Sequence, residues 1–396
     1  MARTKLKLKS IATGNLPGAI KVATENINAS AITPAKLSAT AQSSSGNKNI
    51  LINGTMNVAQ RYTSKASVSS GDFFVVDRFG GYINAAGTWT ISQSTDTPTG
   101  QGFGNSAKFD CTSANGSLGS GSELLFRQRI EGFNLQHLKK GTSSAASTTL
   151  QFWVKSNKTG TYICELFDND NSGRHIGKAY TINSANTWEK KTITFVGDTT
   201  GALDNDSGTS LTVNWWLAGG SGVSDPSGTL QTAWGTRTDA NRAVGNVNLA
   251  DSTDNEWYIT GVQFEVGDTA TEFEHEPFDR TVAKCQRYFY QVGFPDKVNS
   301  ARNVALGYYL NGSRVDFVIH LPVTMRAQPA ISANSGTNYY SAYTNGDDHF
   351  DGFDGINAAT AQNFIIYRSS QVSGNYGYAV LLSKTASALI AADAEL

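Results

Sequence analysis

The sequence predicts an all-β protein, an antiparallel sandwich followed by a smaller β-domain, from three observations. Apolar residues alternate with polar ones at period two in stretch after stretch. Charged residues make up only 16% of the 396-residue chain, against roughly 25% in an ordinary soluble protein. Gly reaches 39 residues, and Gly, Asn, Asp and Ser punctuate the apolar runs as turns.

Residues 1–48 read as an extended segment, rich in Ala, Ser, Thr, Asn and Lys. Ile27, Ile32 and Leu37 are too sparse to make a core of their own, so their burial is expected against partner chains. The sandwich spans residues 49–279 and opens at Asn49-Ile50-Leu51-Ile52-Asn53-Gly54. Within it Leu150, Phe152 and Val154 face one side while Gln151, Trp153 and Lys155 face the other. Leu211, Val213, Trp215 and Leu217 repeat the pattern, as do Val262, Phe264 and Val266.

One short helix interrupts the strands over 280–292. There Val282, Cys285 and Phe289 recur at helical spacing and Asp279 is the expected N-cap. Residues 293–396 then form the distal β-domain, with Val315, Phe317, Ile319 and Leu321 alternating and Tyr378, Val380 and Leu382 alternating near the end.

A formal net charge of −1 provides no basic field, so nucleic acid is not an expected partner. No stretch approaches the ~20 apolar residues of a membrane helix. The opening MARTKLKLK lacks an apolar signal region, so folding in a cytoplasm and release by lysis are expected. Cys111, Cys164 and Cys285 lie far apart without zinc-ligand spacing and read as buried thiols.

Four stretches resemble the structural and tail-fibre proteins of tailed bacteriophages. They are Asn49 to Gly54 followed by Asn57, Gln60 and Arg61; Asp77-Arg78-Phe79; Phe152-Trp153-Val154-Lys155-Ser156; and the run from Val262 through Thr271-Glu272-Phe273-Glu274 to Cys285-Gln286-Arg287-Tyr288. Ala59 departs from the aromatic usual at its position. The resemblance covers residues 49 to about 290, and Leu321 to Ala327 with Asp393-Ala394-Glu395-Leu396 resemble the C-terminal β-domain often attached to it. It implies a jelly roll of the carbohydrate-binding-module type, a homotrimer, and a place in the virion of a protein made in the host cytoplasm. Residues 1–48 would then anchor the chain to other virion proteins.

No catalytic constellation, metal site or cofactor is expected, and the chain is not read as an enzyme. The loop Asp168-Asn169-Asp170-Asn171-Ser172-Gly173 opens like a calcium loop, but its twelfth position is Ala179 where a bidentate acid is needed, so it reads as a polar hairpin. His275 among Glu272, Glu274 and Glu276 reads as part of a closing segment. Trp153, Trp216 and Trp257 project opposite the inner aliphatics and form either a subunit interface, the favoured reading, or a sugar-stacking face. Tyr339, Tyr340, Tyr343, His349 and Phe350 form the candidate contact with a host-surface polysaccharide, because aromatics and acids on loops suit such contacts. The expected function is that of a fibre or spike appendage that adsorbs to host glycans. A purely structural role in a head fibre, decoration, baseplate or adaptor is the main rival. A glycan-degrading tailspike is a weaker one, since no repeat of roughly 20–50 residues is present.

Overall fold

Alternation translates directly into strands. In chain order the first twelve are β1 (Ser64–Val68), β2 (Gly71–Val76), β3 (Phe79–Asn84), β4 (Thr88–Ser94), β5 (Ser106–Ser113), β6 (Glu123–Glu131), β7 (Thr148–Ser156), β8 (Gly160–Asp168), β9 (His175–Ile182), β10 (Glu189–Phe195), β11 (Thr209–Gly219) and β12 (Glu256–Val266). They build two six-stranded antiparallel sheets, β1-β4-β5-β12-β7-β10 and β2-β3-β6-β11-β8-β9. Because the chain changes sheet repeatedly, the two close on each other as a jelly roll. This computed structural model describes residues 48–293, 302–370, 372–373 and 377–396. The expected attachment segment lies outside the described residues except for Lys48.

The two inner faces meet in an aromatic core. Phe109 of β5 packs edge-on against Phe126 of β6 with ring centroids 5.7 Å apart, and Trp257 of β12 reaches the same ring at 5.5 Å. Phe79 stacks on Phe126 at 5.2 Å. Leu150, Phe152, Val154, Val213, Trp215 and Leu217 are all inward and wholly buried, as their alternation predicts.

In β12 the alternation breaks. Gly261 adopts φ +62°, and the register with β7 shifts between Thr260 and Gln263. Such a bulge moves every residue beyond it to the other face. Val262 and Phe264 point into the core, and so do Trp257 and Ile259 on the far side of the bulge. The expected outward Trp257 is therefore corrected to a core residue, and Val266, expected inward, is 43% exposed. A side chain at position 261 would also collide with the Phe103 ring.

The opening motif is a backbone fit. Asn53 takes φ 63° and its side chain brackets Val58 and Asp77 through hydrogen bonds of 2.9 to 3.0 Å. Gly54 lies so close to β12 that a Cβ would strike the Val262 carbonyl.

Helix α1 (Phe278–Gln286) follows the sandwich. Its N-cap is Pro277 without a side-chain bond, and Asp279 sits in the first turn, where its charge favours the helix dipole; the expected Asp279 cap is corrected accordingly. Ten strands remain: β13 (Phe289–Gln291), β14 (Arg302–Asn311), β15 (Arg314–His320), β16 (Ala330–Ala333), β17 (Tyr340–Tyr343), β18 (Asp347–Phe350), β19 (Gly355–Ala359), β20 (Asn363–Arg368), β21 (Gly377–Ser383) and β22 (Ile390–Asp393). Seven form the sheet β18-β17-β21-β14-β15-β20-β19, and three form β13-β22-β16. A second core of Tyr309, Val315, Phe317, Tyr340, Phe350, Phe364 and Leu381 lies under the larger sheet. Both cores belong to one compact unit, Asn47–Leu396.

Candidate glycan-contact site

Residues from three of the four stretches that carry the phage resemblance converge, and what they build is a joint. Gln60 is wholly buried: its amide N–H groups donate to Asp77 and to the Phe289 carbonyl at 2.6 Å, and its oxygen accepts the Gln291 N–H at 3.4 Å. Arg61 lies between the rings of Phe74 and Phe289, at 4.2 and 3.8 Å, and pairs with Asp393 and Glu395 at 3.1 and 3.2 Å. Arg78 stacks on Tyr288 at 3.4 Å and pairs with Glu395. Arg287 grips Glu131 through two bonds of 2.9 and 2.7 Å. A cleft of about 310 Å³ opens beside Ile50, His137, Lys284 and Arg287, but its cations are taken by Glu276 and Glu131.

The distal candidates divide. Tyr340 and Phe350 are wholly buried and stack at 5.7 Å inside the second core, which corrects their expected role as surface contacts. They occupy the inward positions of the β17–β18 hairpin, where the sequence reading placed loops. Tyr339 is half-buried, while Tyr343 and His349 are exposed.

Trp216 is corrected as well. It does point away from the inner aliphatics, yet the long β11–β12 connection folds over that face and buries it among Leu125, Ile163, Val223 and Ala243. Its indole N–H donates to Glu165 at 3.2 Å, and Arg242 holds the same carboxylate with two bonds of 2.8 Å. In the Asp168 loop both carboxylate oxygens are turned inward, to the amides of Asp170 and Asn171 at 2.9 and 3.1 Å and to the Lys140 ammonium. An ammonium thus sits where a calcium loop would hold its ion.

Trp153 remains at the surface, half-buried, on the outer face of the first sheet. Cross-strand register sets Thr260 and Lys190 beside it, and the next row sets Lys108, Tyr258 and Lys155 side by side. Trp188, just ahead of β10, extends this face. Its ring lies 6.2 Å from that of Tyr258, and the Lys155 ammonium stands 4.3 Å over Tyr258 and 5.6 Å over Trp188. Asp96 accepts the Trp188 N–H at 3.0 Å and pairs with Lys155. Glu256 accepts from Lys108 at 2.6 Å and from the Tyr258 hydroxyl at 2.7 Å.

Partial burial pushes the Asp96 carboxyl up, but the bonds from Lys155 and Trp188 outweigh it and leave the pKa lowered. Burial and the Glu256 carboxylate push Tyr258 up to about 12, so its hydroxyl stays a donor. The face therefore presents the half-buried rings of Trp153 and Trp188 with charged acceptors and ammonium donors between them, while the Tyr258 ring is buried beneath the Lys155 ammonium. Rings of this kind offer apolar surface to the C–H face of a sugar while the polar groups meet its hydroxyls. Trp188 and Tyr258 escaped the sequence reading, since the bulge at Gly261 hides which face Tyr258 takes; Trp188 beside Glu189, Lys190 and Lys191 was the available signal.

No family model matches the chain. No curated protein matches it either. Among solved structures it is similar to the enzymatically active domain of tailspike protein 4 of bacteriophage CBA120, with TM-score 0.28 and 16% identity over 51% of this chain and 21% of that one. A protein of Bacteroides thetaiotaomicron with a proposed sugar-binding role gives TM-score 0.30 and 12% identity over 56% of this chain and 100% of that one. A carbohydrate-binding module described with β-1,4-galactotriose gives 0.28 and 8% over 56% and 100%. The chain thus spans about a fifth of the tailspike domain, and the jelly-roll assignment rests on the strand order given above.

Proposed function

We propose that this chain is a bacteriophage virion protein, of the fibre or spike kind, that contacts host-surface glycans without cleaving them. The observation that carries the reading is the outer face of the first sheet, where the half-buried Trp153 and Trp188 share one side with Lys155, Asp96, Lys108 and Glu256. Lys155 is paired with Asp96 and Lys108 with Glu256, which leaves the exposed Lys190 beside Trp153 as an ammonium open to a sugar's hydroxyl or acidic groups. Support for the virion role comes from the four sequence stretches that resemble tail-fibre proteins. A purely structural virion role is the second reading, and the convergence of three of those stretches on a joint between cores favours it.

Titration of host polysaccharide into the full chain separates the two. Replacing Trp153 and Trp188 together by Ala is expected to weaken binding by roughly tenfold or more, since alanine substitution at an aromatic contact commonly costs over about 1 kcal/mol. Reducing ends should not be released from the polysaccharide. Undiminished binding by the double variant, or no binding by the parent chain, overturns the glycan reading. Sugar release overturns the non-catalytic one.

A further inference from the structure

Around the bulge at Gly261, two segments of chain fold down onto the outer face of the first sheet. The first runs into β5: the hydroxyl of Thr260, the β12 residue paired with Trp153, donates to the Asn105 carbonyl at 2.7 Å. The second follows β12: the Gln151 amide donates to the Thr271 carbonyl at 2.7 Å, and the side-chain oxygen of Gln263 accepts the Glu274 N–H at 2.7 Å. Gln151 and Gln263 pair across β7 and β12 and are both buried, so polar side chains on this face tie the covering segments in place.

Both segments carry aromatic rings. Phe103 lies 5.0 Å from Phe273 and 5.3 Å from His275, and Phe273 lies 4.9 Å from His275, centroid to centroid. Two glycines in left-handed conformation make room for them. A Cβ on Gly261, at φ +62°, would stand 2.6 Å from the Phe103 ring and 3.0 Å from that of Trp153, and a Cβ on Gly102, at φ +81°, would stand 3.3 Å from the His275 ring. The bulge thus lets Phe103 and Trp153 meet over bare backbone. Phe103 and Phe273 are half-buried and His275 is exposed. Shielding the amides beneath needs only apolar bulk; flat rings left partly in solvent suit a ligand that stacks.

We propose that Phe103, Phe273 and His275 extend the face of Trp153 and Trp188 into a platform for several consecutive units of one polysaccharide chain. The ligand, on the glycan reading this rests on, is then a stretch of chain and not a single terminal sugar. Trp188 stands just ahead of β10 and Phe103 just ahead of β5, and the sheet order β5-β12-β7-β10 sets three strand intervals between them, on the order of 14 Å in all. That is more than one sugar ring covers. Trp153 lies between the two and meets Phe103 at Gly261, so a chain stacked on the tryptophans runs on to the other rings without a gap.

Titration of the full chain with size-fractionated fragments of host polysaccharide tests the proposal. The parent should bind fragments long enough to cross all the rings roughly tenfold more tightly than the shortest fragments it binds. Phe103→Leu with Phe273→Leu, which keeps apolar bulk over Gly261, should bind the shortest fragments as the parent does, lose the gain with length, and melt where the parent melts. His275→Ala, at an exposed position, should lose part of the same gain. Trp153→Ala with Trp188→Ala should instead weaken fragments of every length. Equal affinity of the parent for short and long fragments overturns the proposal and leaves the glycan contact standing. So does a leucine pair that keeps the full gain, or, if that pair melts early, a His275→Ala variant that keeps it. A parent that binds no fragment removes both.

Discussion

Gln60 donates its side-chain amide to the carbonyl oxygen of Phe289, 229 residues further along the chain, at 2.6 Å. Around that bond Arg61 and Arg78 bring their guanidinium groups to Glu395, so the opening of the sandwich, the end of α1 and the last residues of the chain are fixed together. The sequence motifs that stand out most are thus explained by burial of charge at a joint, where each partner is needed to compensate the others.

Removing the acid of this joint should be costly. Glu395→Ala leaves the buried Arg78 guanidinium without its carboxylate and Arg61 with Asp393 alone, and breaking a buried pair in this way costs about 3–5 kcal/mol. Urea unfolding would measure it. Arg78→Met combined with Glu395→Ala should cost less than the two single changes added together, since the second removal relieves the first.

The β9–β10 connection should make stability pH-dependent. Burial raises the Glu189 carboxyl, but bonds from Lys191, Ser184 and Asn183 outweigh this and bring it down to about 2 from an ordinary 4.5. A depressed carboxylate contributes stability above its unfolded pKa and loses it as pH falls through the folded one. Glu189→Gln should therefore destabilise the chain at neutral pH, and its deficit should shrink between about pH 4.5 and pH 2. A deficit that is constant across this range would refute the assignment.

Lys140 should prove structural where the Asp168 loop only looks like an ion site. Its ammonium also reaches Asp198 at 3.1 Å and the carbonyls of Thr200 and Gly201 at 3.0 and 2.9 Å. Lys140→Met should cost about 3–5 kcal/mol by removing the only cation paired with the buried Asp168 among the described residues, while Asp198 keeps its two bonds from Arg174. Chelator and added calcium should both leave the melting temperature of the parent chain where it was.

Alternation made the sheets legible because half-buried strands must alternate. It chose the correct inward face for Leu150 to Val154 and for Leu211 to Leu217. It failed where geometry between strands intervenes: the bulge at Gly261 turned Trp257 inward, and the β11–β12 connection covered Trp216. In β21, with apolar residues on both sides, a period of two cannot say which side is the core, and the smaller Ala379 with Leu381 took it. The candidate contact was legible only at Trp153, since its partners Trp188, Tyr258 and Asp96 come from other strands and loops.

The distal aromatics allow the position of the proposed glycan contact to be tested independently. Tyr340 and Phe350 fill the second core, where Phe353 packs against both at 4.6 and 5.4 Å. Tyr340→Ala or Phe350→Ala should cost about 3–5 kcal/mol, as truncation of a buried aromatic does, and any loss of host adsorption would then reflect a damaged sheet. His349 is the discriminating position, because it is exposed on β18 and supports neither core. His349→Ser should change stability by no more than about 0.5 kcal/mol, the usual span for a surface site. If the sandwich face around Trp153 and Trp188 makes the contact, the same variant should bind host polysaccharide as the parent does. Binding lost in His349→Ser with an unchanged melting temperature would instead return the contact to the β17–β18 hairpin.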